Sequence, residues 1–317
     1  MLSMRKLFMS LKIQVDNQSN LNVMKKLSFT LLCLFCFSLE GQNKITNFLA
    51  ISKSKYSFEN FIPLPKGIPE TSGLYFDGTT VWTINDGGNP AEIFGLTNIY
   101  DSTVALNDDN IIKTQFPLPL KNNDWEALTG DADFIYIGDV GNNPGNRKNL
   151  CVYKISKSQI KNNRVEQVDT IQFFYPEQSN FESRFFHNFD CEAMFVKGDS
   201  IYLLTKNWQN RKSEIYRLPK TKGNHAAQLI GSFNPNFLVT DACLVENEIF
   251  ITGYNFRGKQ FIGKLNFGTW NEFKKQKIKM KHGQIEGICF IPNYGFILST
   301  EQRKTRCAGI FTIKSKE

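Results

Sequence analysis

One short phrase recurs along this chain and limits what it can become. Residues 116–128 read FPLPLKNNDWEAL, and residues 61–74 read FIPLPKGIPETSGL, which is nearly the same sentence. The tail of the phrase is an acidic residue followed by a small one and an apolar one. It returns at Asp190-Cys191-Glu192-Ala193-Met194, at Thr240-Asp241-Ala242-Cys243-Leu244 and at Ile285-Glu286-Gly287-Ile288. A unit that recurs at intervals of 45–66 residues is a structural repeat, and it sets the architecture before any other feature is weighed.

Each phrase has four parts. In the second they are Ala127–Thr129, Ile135–Ile137, Leu150–Ile155 and Val168–Tyr175. These are short β-branched and aromatic runs bounded by Gly, Asn and Asp, which read as strands and turns. Tyr153, Lys154 and Ile155 alternate, the period of a half-exposed strand. Five phrases of four strands predict an all-β chain folded as a β-propeller with five four-stranded blades. The fifth phrase lacks its fourth part, and Ser57–Pro65 is left over at the other end. That strand is expected to complete the last blade and close the ring, because 61–74 and 116–128 both run from a fourth strand into the next first strand. Pro176–Phe189 is surplus to the pattern and reads as an insertion before Asp190.

Ahead of the repeat lies a different kind of sequence. Met24-Lys25-Lys26, the apolar run LSFTLLCLFCFSL and Glu40-Gly41-Gln42 have the order of an export signal. The run is too short for an ordinary membrane span. The chain therefore divides into an upstream extension plus signal (1–42, the signal being 24–42), a lead-in (43–56) and one propeller domain (57–317). The mature product is expected in the periplasm or outside the cell, without a membrane span. The formal charge of +8 falls to +5 once residues 1–41 are set aside, leaving 33 basic against 28 acidic side chains. That is short of the concentrated basic stripe of a nucleic-acid binder. Five cysteines remain beyond the signal, an odd count with no Cys-x-x-Cys, so neither a disulfide framework nor a zinc site is indicated.

The runs WTINDGGNPAEIF, DWEAL, IYIGDVGNN, NFDCEAMF and YLLTKN resemble secreted bacterial β-propeller proteins, and more distantly the SdiA-regulated and NHL-type propellers. The resemblance covers about residues 57–315 and implies the same fold. Some propellers of this general shape bind calcium in the channel and some are esterase- or phytase-like; those properties are implied by the resemblance alone.

Two sets of residues could carry function. Glu126, Glu192, Asp241 and Glu286 each precede a predicted innermost strand and so should ring one mouth of the channel, with Ser72 in that place in the first blade. Three roles stand open for them. They could accept backbone N–H bonds and staple blade to blade. They could hold calcium, which takes several oxygen ligands. They could act as a general acid and base. The loops after the second strands should open on the same face. Four of them carry Arg/Lys pairs: Arg147-Lys148, Arg211-Lys212, Arg257 with Lys259, and Arg303-Lys304. Guanidinium groups suit carboxylate or phosphate, so these loops could recognise an anion, or could simply be solvated or paired with the acidic ring. Trp125 and Trp208 could offer a stacking surface, for instance to a sugar, although Trp125 also suits a core. Asp86 and Asp139 stand in Gly/Asn-rich turns that resemble calcium-loop fragments but lack the spacing of an EF-hand, and they read rather as turn residues. His187, His225 and His282 are scattered, and no G-x-S-x-G, H-E-x-x-H, P-loop or Rossmann fingerprint occurs.

The first expectation is an exported, monomeric binding or scaffold propeller. Its partner is an anionic small molecule, a glycan or a protein, not nucleic acid, and calcium is the one cofactor considered. The alternative is a metal-dependent hydrolase of an anionic (phospho)ester. Propellers host many activities, so the fold alone does not choose.

Overall fold

Runs of Val, Ile, Phe and Tyr punctuated by polar turns fold here into antiparallel sheets, because such side chains pack on a pleated surface and Gly, Asn and Asp reverse the chain. The computed structural model describes residues 57–97, 99, 111–162, 164–278, 283–303 and 307–314. The expected export signal and lead-in lie outside the described residues. Five sheets make the five blades of a β-propeller.

From the channel outward, blade one is Thr71–Phe76, Val81–Asn85, Glu92–Leu96 and Ile112–Pro117. Blade two is Trp125–Gly130, Phe134–Asp139, Cys151–Ser156 and Asp169–Phe174. Blade three is Cys191–Lys197, Ser200–Thr205, Ser213–Pro219 and Gln228–Phe233. Blade four is Leu238–Val245, Glu248–Tyr254, Gln260–Asn266 and Lys274–Ile278. Blade five takes Ile285–Ile291, Gly295–Thr300 and Gly309–Lys314 from the end of the chain, and its outermost strand is Ser57–Pro63 from the beginning. That pairing is antiparallel, with Ile62 opposite Ile310, and Leu64 N donates to Ala308 O at 2.9 Å. The ring is thus closed by the N-terminal strand, as the repeat predicts. Neighbouring innermost strands lie against one another all the way round.

The core is not one mass but a series of seams between blades. Trp82, Ile84 and Ile93 of blade one meet Trp125, Leu128 and Ile135 of blade two. Tyr136 and Val152 meet Met194 and Tyr216 at the next seam. Phe195 and Ile215 meet Ile249 and Leu265 after that. The rings of Phe250 and Phe296 lie 4.5 Å apart between blades four and five, and Ile297 and Ile310 meet Leu74 and Phe94 where the circle ends. A five-residue helix, Lys157–Lys161, capped by Ser156, follows the third strand of blade two.

Two features go beyond the sequence reading. Gly223–Ala226, in the hairpin before the outermost strand of blade three, runs parallel to the outermost strand of blade two and covers its edge. More consequential, every innermost strand contains a β-bulge where the repeated motif falls. The register breaks between Ser72 and Leu74, Trp125 and Ala127, Cys191 and Ala193, Val239 and Asp241, and Ile285 and Gly287. Glu126, Glu192 and Glu286 are the bulged residues themselves, so they sit inside strands rather than ahead of them. Bulges re-aim side chains, and here they turn three carboxylates. Blade one has Gly73 at the bulge with φ +69, where a Cβ would come within 2.6 Å of Leu128 N. In blade four the bulge falls on Thr240, one residue before Asp241.

Candidate functional site

An innermost strand runs away from one mouth of the channel, the second returns to it, the third leaves and the outermost returns. Two kinds of connection therefore gather at that mouth: second-to-third turns and blade-to-blade turns. The first kind brings Asp86, Lys206 and Trp208; the second brings Asp124 and Asp190. The bulges add Glu126, Glu192 and Glu286.

The tightest group is Asp86, Asp124 and Glu126, whose carboxylate oxygens lie within 4.8 Å of one another. The Asp86 turn is pinned by Asp86 N to Glu70 O at 2.8 Å and by Asn122 Nδ2 to Asp86 O at 2.8 Å. Asp124 N donates to Asp139 Oδ1 at 3.1 Å, and Gly141 N donates to Asp124 O at 3.1 Å. The Asp124 carboxylate itself lies between two glycine backbones. A Cβ on Gly87 would stand 2.5 Å from Oδ1, and one on Gly141 would stand 2.5 Å from Oδ2. Glu126 is buried and accepts from Ser72 Oγ at 3.4 Å.

Burial dominates the electrostatics of this group. It pushes Asp86 up to about 7, helped by Asp124 and Glu70. Burial also pushes Asp124 up to about 6, helped by Asp190 and Asp139. Glu126 is pushed well above the usual carboxylate range by burial and by Glu192, Asp86 and Asp124. The Lys206 ammonium pulls all three the other way without prevailing. Groups so shifted concentrate at functional sites, though ion-pair networks shift them too.

Lys206 is the internal cation of the mouth. It pairs with Glu192, both side chains being buried. Its Nζ also stands 4.9 Å from the Trp208 ring and 5.2 Å from the Tyr254 ring. Burial alone would lower its pKa; Glu192, Tyr254 and Glu286 outweigh that and keep it charged. Asp190 accepts from Asn142 N at 2.7 Å and from Trp208 Nε1 at 2.8 Å, which ties blade two to blade three and fixes the indole. Glu286 accepts from Gln284 Nε2, and burial pushes its carboxyl up to about 8.

Asp241 does something different. Its Oδ2 accepts from Leu74 N of blade one at 3.2 Å and from Ile288 N of blade five at 2.8 Å, while Oδ1 accepts from Ala242 N at 2.8 Å. The shifted bulge accounts for this, since one residue of register changes which way a strand residue faces. Of the four acidic positions read from the repeat, Glu126 joins the three-carboxylate group and Glu192 faces Lys206. Glu286 stands beside Gln284, and Asp241 bonds backbone.

The basic residues also divide. Arg147 is spent on Asp139, with Nη2 to Oδ1 at 2.6 Å, and its Nη1 donates to Gly141 O at 2.6 Å. Arg303 binds Glu301 at 2.7 Å and donates to Gln284. Lys148, Arg211, Lys212 and Arg257 are exposed, Lys148 lying 4.8 Å over the Phe181 ring. Trp208 stands half-buried at the mouth, its ring 6.2 Å from that of Phe256. Trp125 is fully buried against Tyr153 and has no face open to a ligand. The sequence assigned Asp86 to a turn and did not single out Asp124 or Lys206. The available signal was an Asp two residues ahead of the repeated Glu, in Asp124-Trp125-Glu126 and again in Asp190-Cys191-Glu192.

The fold and this mouth define the class: a five-bladed β-propeller with an acidic channel mouth. No family model matches the chain, and no curated protein matches it. Solved structures do. One is an oxidoreductase (glucose dehydrogenase) chain from Thermus thermophilus, at 8% identity and TM-score 0.45, covering 82% of this chain and all of that one. An exo-β-1,3-galactanase from Phanerochaete chrysosporium, solved with galactose, aligns at 11% identity and TM-score 0.49, covering 81% of this chain and 65% of that one. A chain of the mitotic checkpoint complex aligns at 12% identity and TM-score 0.36, and this chain spans 61% of it. Their mixed activities transfer nothing to this mouth. The comparisons bear out the β-propeller fold and return no homologue behind the finer resemblance to SdiA-regulated and NHL-type propellers. Among the described residues no helix is long and apolar enough to cross a membrane.

Proposed function

We propose that this chain is a ligand-binding propeller whose mouth takes a divalent cation, calcium fitting best, on Asp86, Asp124 and Glu126. The observation that carries the reading is the convergence of three carboxylates within 4.8 Å, with Asp124 wedged between glycine backbones. An all-oxygen, all-carboxylate donor set suits a hard cation rather than zinc or copper. Calcium takes six to eight oxygens, so backbone carbonyls, water and the ligand would complete the shell. Trp208, whose Nε1 donates to Asp190 at 2.8 Å, brings aromatic surface to the same mouth. A sugar offers hydroxyls to a cation and an apolar face to an indole, so a glycan is the ligand class that uses both. The test is saccharide binding by purified protein with calcium and with EDTA. Retention that needs calcium and is lost in Asp124→Asn supports the reading, and retention indifferent to both removes it.

A second reading, hydrolysis of an anionic ester, is favoured by one observation. Asp124, Asp86 and Glu286 are pushed to about 6, about 7 and about 8, which spans the range where an acid and a base both operate. Turnover of phosphoesters by wild type but not by Asp86→Asn would promote it over binding. We read the product as exported, with cleavage near Gly41–Asn43, and N-terminal sequencing of the secreted form checks that.

A further inference from the structure

The loops around the mouth carry more cations than the mouth consumes. Lys148, Arg184, Arg211, Lys212, Arg257 and Lys259 are all exposed, and none makes an ion pair among the described residues. Exposed acids in the same loops are Glu177 and Glu182. The six cations come from four loops of blades two, three and four that are bound into one surface. Arg184 N donates to Pro144 O at 2.8 Å, Gln178 Nε2 to Gly145 O at 2.8 Å, and Trp208 N to His187 O at 3.1 Å. Trp208 then meets Phe256.

Exposed apolar side chains stand on the same surface. Phe185 is 77% exposed, Phe186 is 68% and Phe256 is 57%. Phe185 and Phe186 are held out by a clamped base. The next residue, His187, is buried, and its Nε2 lies 3.0 Å from Asn143 O. The insertion of residues 176–189 therefore presents two adjacent rings to solvent from a fixed support.

We infer that this face docks on an anionic lipid surface, with Phe185, Phe186 and Phe256 entering the interface and the six unpaired cations meeting the headgroups. A small anion would need the cations to converge, and they are spread over four loops. An anionic polymer would satisfy the charges yet leave three phenyl rings in water. A lipid interface accepts both, since rings bury at the acyl boundary while cations are drawn to anionic headgroups. The inference does not depend on a cation in the mouth, because none of these residues belongs to the three-carboxylate group.

The experiment is co-sedimentation of the full chain with vesicles in EDTA, comparing phosphatidylcholine alone with phosphatidylcholine containing phosphatidylglycerol. The apolar run of residues 27–39 is common to every variant, so comparisons between variants read the face alone. Phosphatidylglycerol is expected to raise partitioning about tenfold or more, with the gain lost at high salt. Phe185→Ser with Phe186→Ser should lower partitioning about tenfold, and Arg211→Ala with Lys212→Ala should reduce the phosphatidylglycerol gain. Equal binding to both vesicles, or variants that bind as wild type does, overturns the inference. Binding that appears only when calcium replaces EDTA assigns the attraction to the mouth and overturns it too. Retention on heparin without vesicle binding overturns it in favour of an anionic polymer.

Discussion

Asp241 in blade four accepts a hydrogen bond from the backbone N–H of Leu74 in blade one, 3.2 Å away and 167 residues earlier in the chain. The same carboxylate takes Ile288 N and Ala242 N, so one buried side chain joins the innermost strands of blades four, five and one. Replacing it by Ala leaves three buried donors without an acceptor. Each such donor costs about 1–3 kcal/mol, so Asp241→Ala should lose about 3 kcal/mol or more in chemical unfolding. Asp241→Asn, which keeps one acceptor oxygen, should lose less. If Asp241→Ala unfolds at the wild-type denaturant midpoint, the bonds do not hold the ring.

Ring closure makes the first described strand indispensable. Ser57–Pro63 is the outermost strand of blade five, and without it Gly309–Lys314 becomes an unpaired edge. Deleting residues 57–63 should abolish the single cooperative thermal transition rather than trim a tail. A deletion variant that melts as wild type does would mean that blade five stands by itself.

Arg147 and Arg257 occupy equivalent loops but should respond differently to truncation. Arg147 neutralises Asp139, which is fully buried, so Arg147→Ala strands a charge and should cost about 3 kcal/mol or more. Arg257 is exposed and unpaired among the described residues, and Arg257→Ala should leave the midpoint nearly unmoved. Equal effects in paired denaturant titrations would contradict the assignment of Arg147 to structure.

The repeat made the ring legible, because strand alternation and turn residues act locally and recur. The joining of residues 57–65 to the last blade was legible for the same reason. The bulge was not, since Glu192 and Asp241 occupy matching places in the sequence and only strand pairing shows that their registers differ by one. Asp86 read as a turn residue because its role comes from a neighbour, Asp124, that only blade packing brings close. The Arg/Lys pairs looked equivalent by spacing. Spacing carries no information on which cation meets a buried carboxylate, and that separates Arg147 from Arg257.

The raised carboxyls fix a pH dependence with an unusual sign. Asp124, Asp86 and Glu286 bind protons more tightly folded than unfolded, at about 6, about 7 and about 8 against ordinary values near 4. The folded state then holds more protons between the two sets of values, so metal-free stability should fall as pH rises from about 5 to about 8. A cation that displaces those protons should restore it, and more so at the higher pH. Melting curves in EDTA and in calcium across that range check both halves. Stability that rises with pH in EDTA would contradict the burial of these groups.

We propose that Asp86, Asp124 and Glu126 hold one divalent cation. Isothermal titration of calcium into EDTA-stripped protein at about pH 8 tests it most directly, above the raised values of Asp86 and Asp124. One site per chain is expected, lost in Asp124→Asn and in Glu126→Gln, with Asp241→Asn still binding. A flat titration of wild type, or a site that survives both Asp124→Asn and Glu126→Gln, would contradict it.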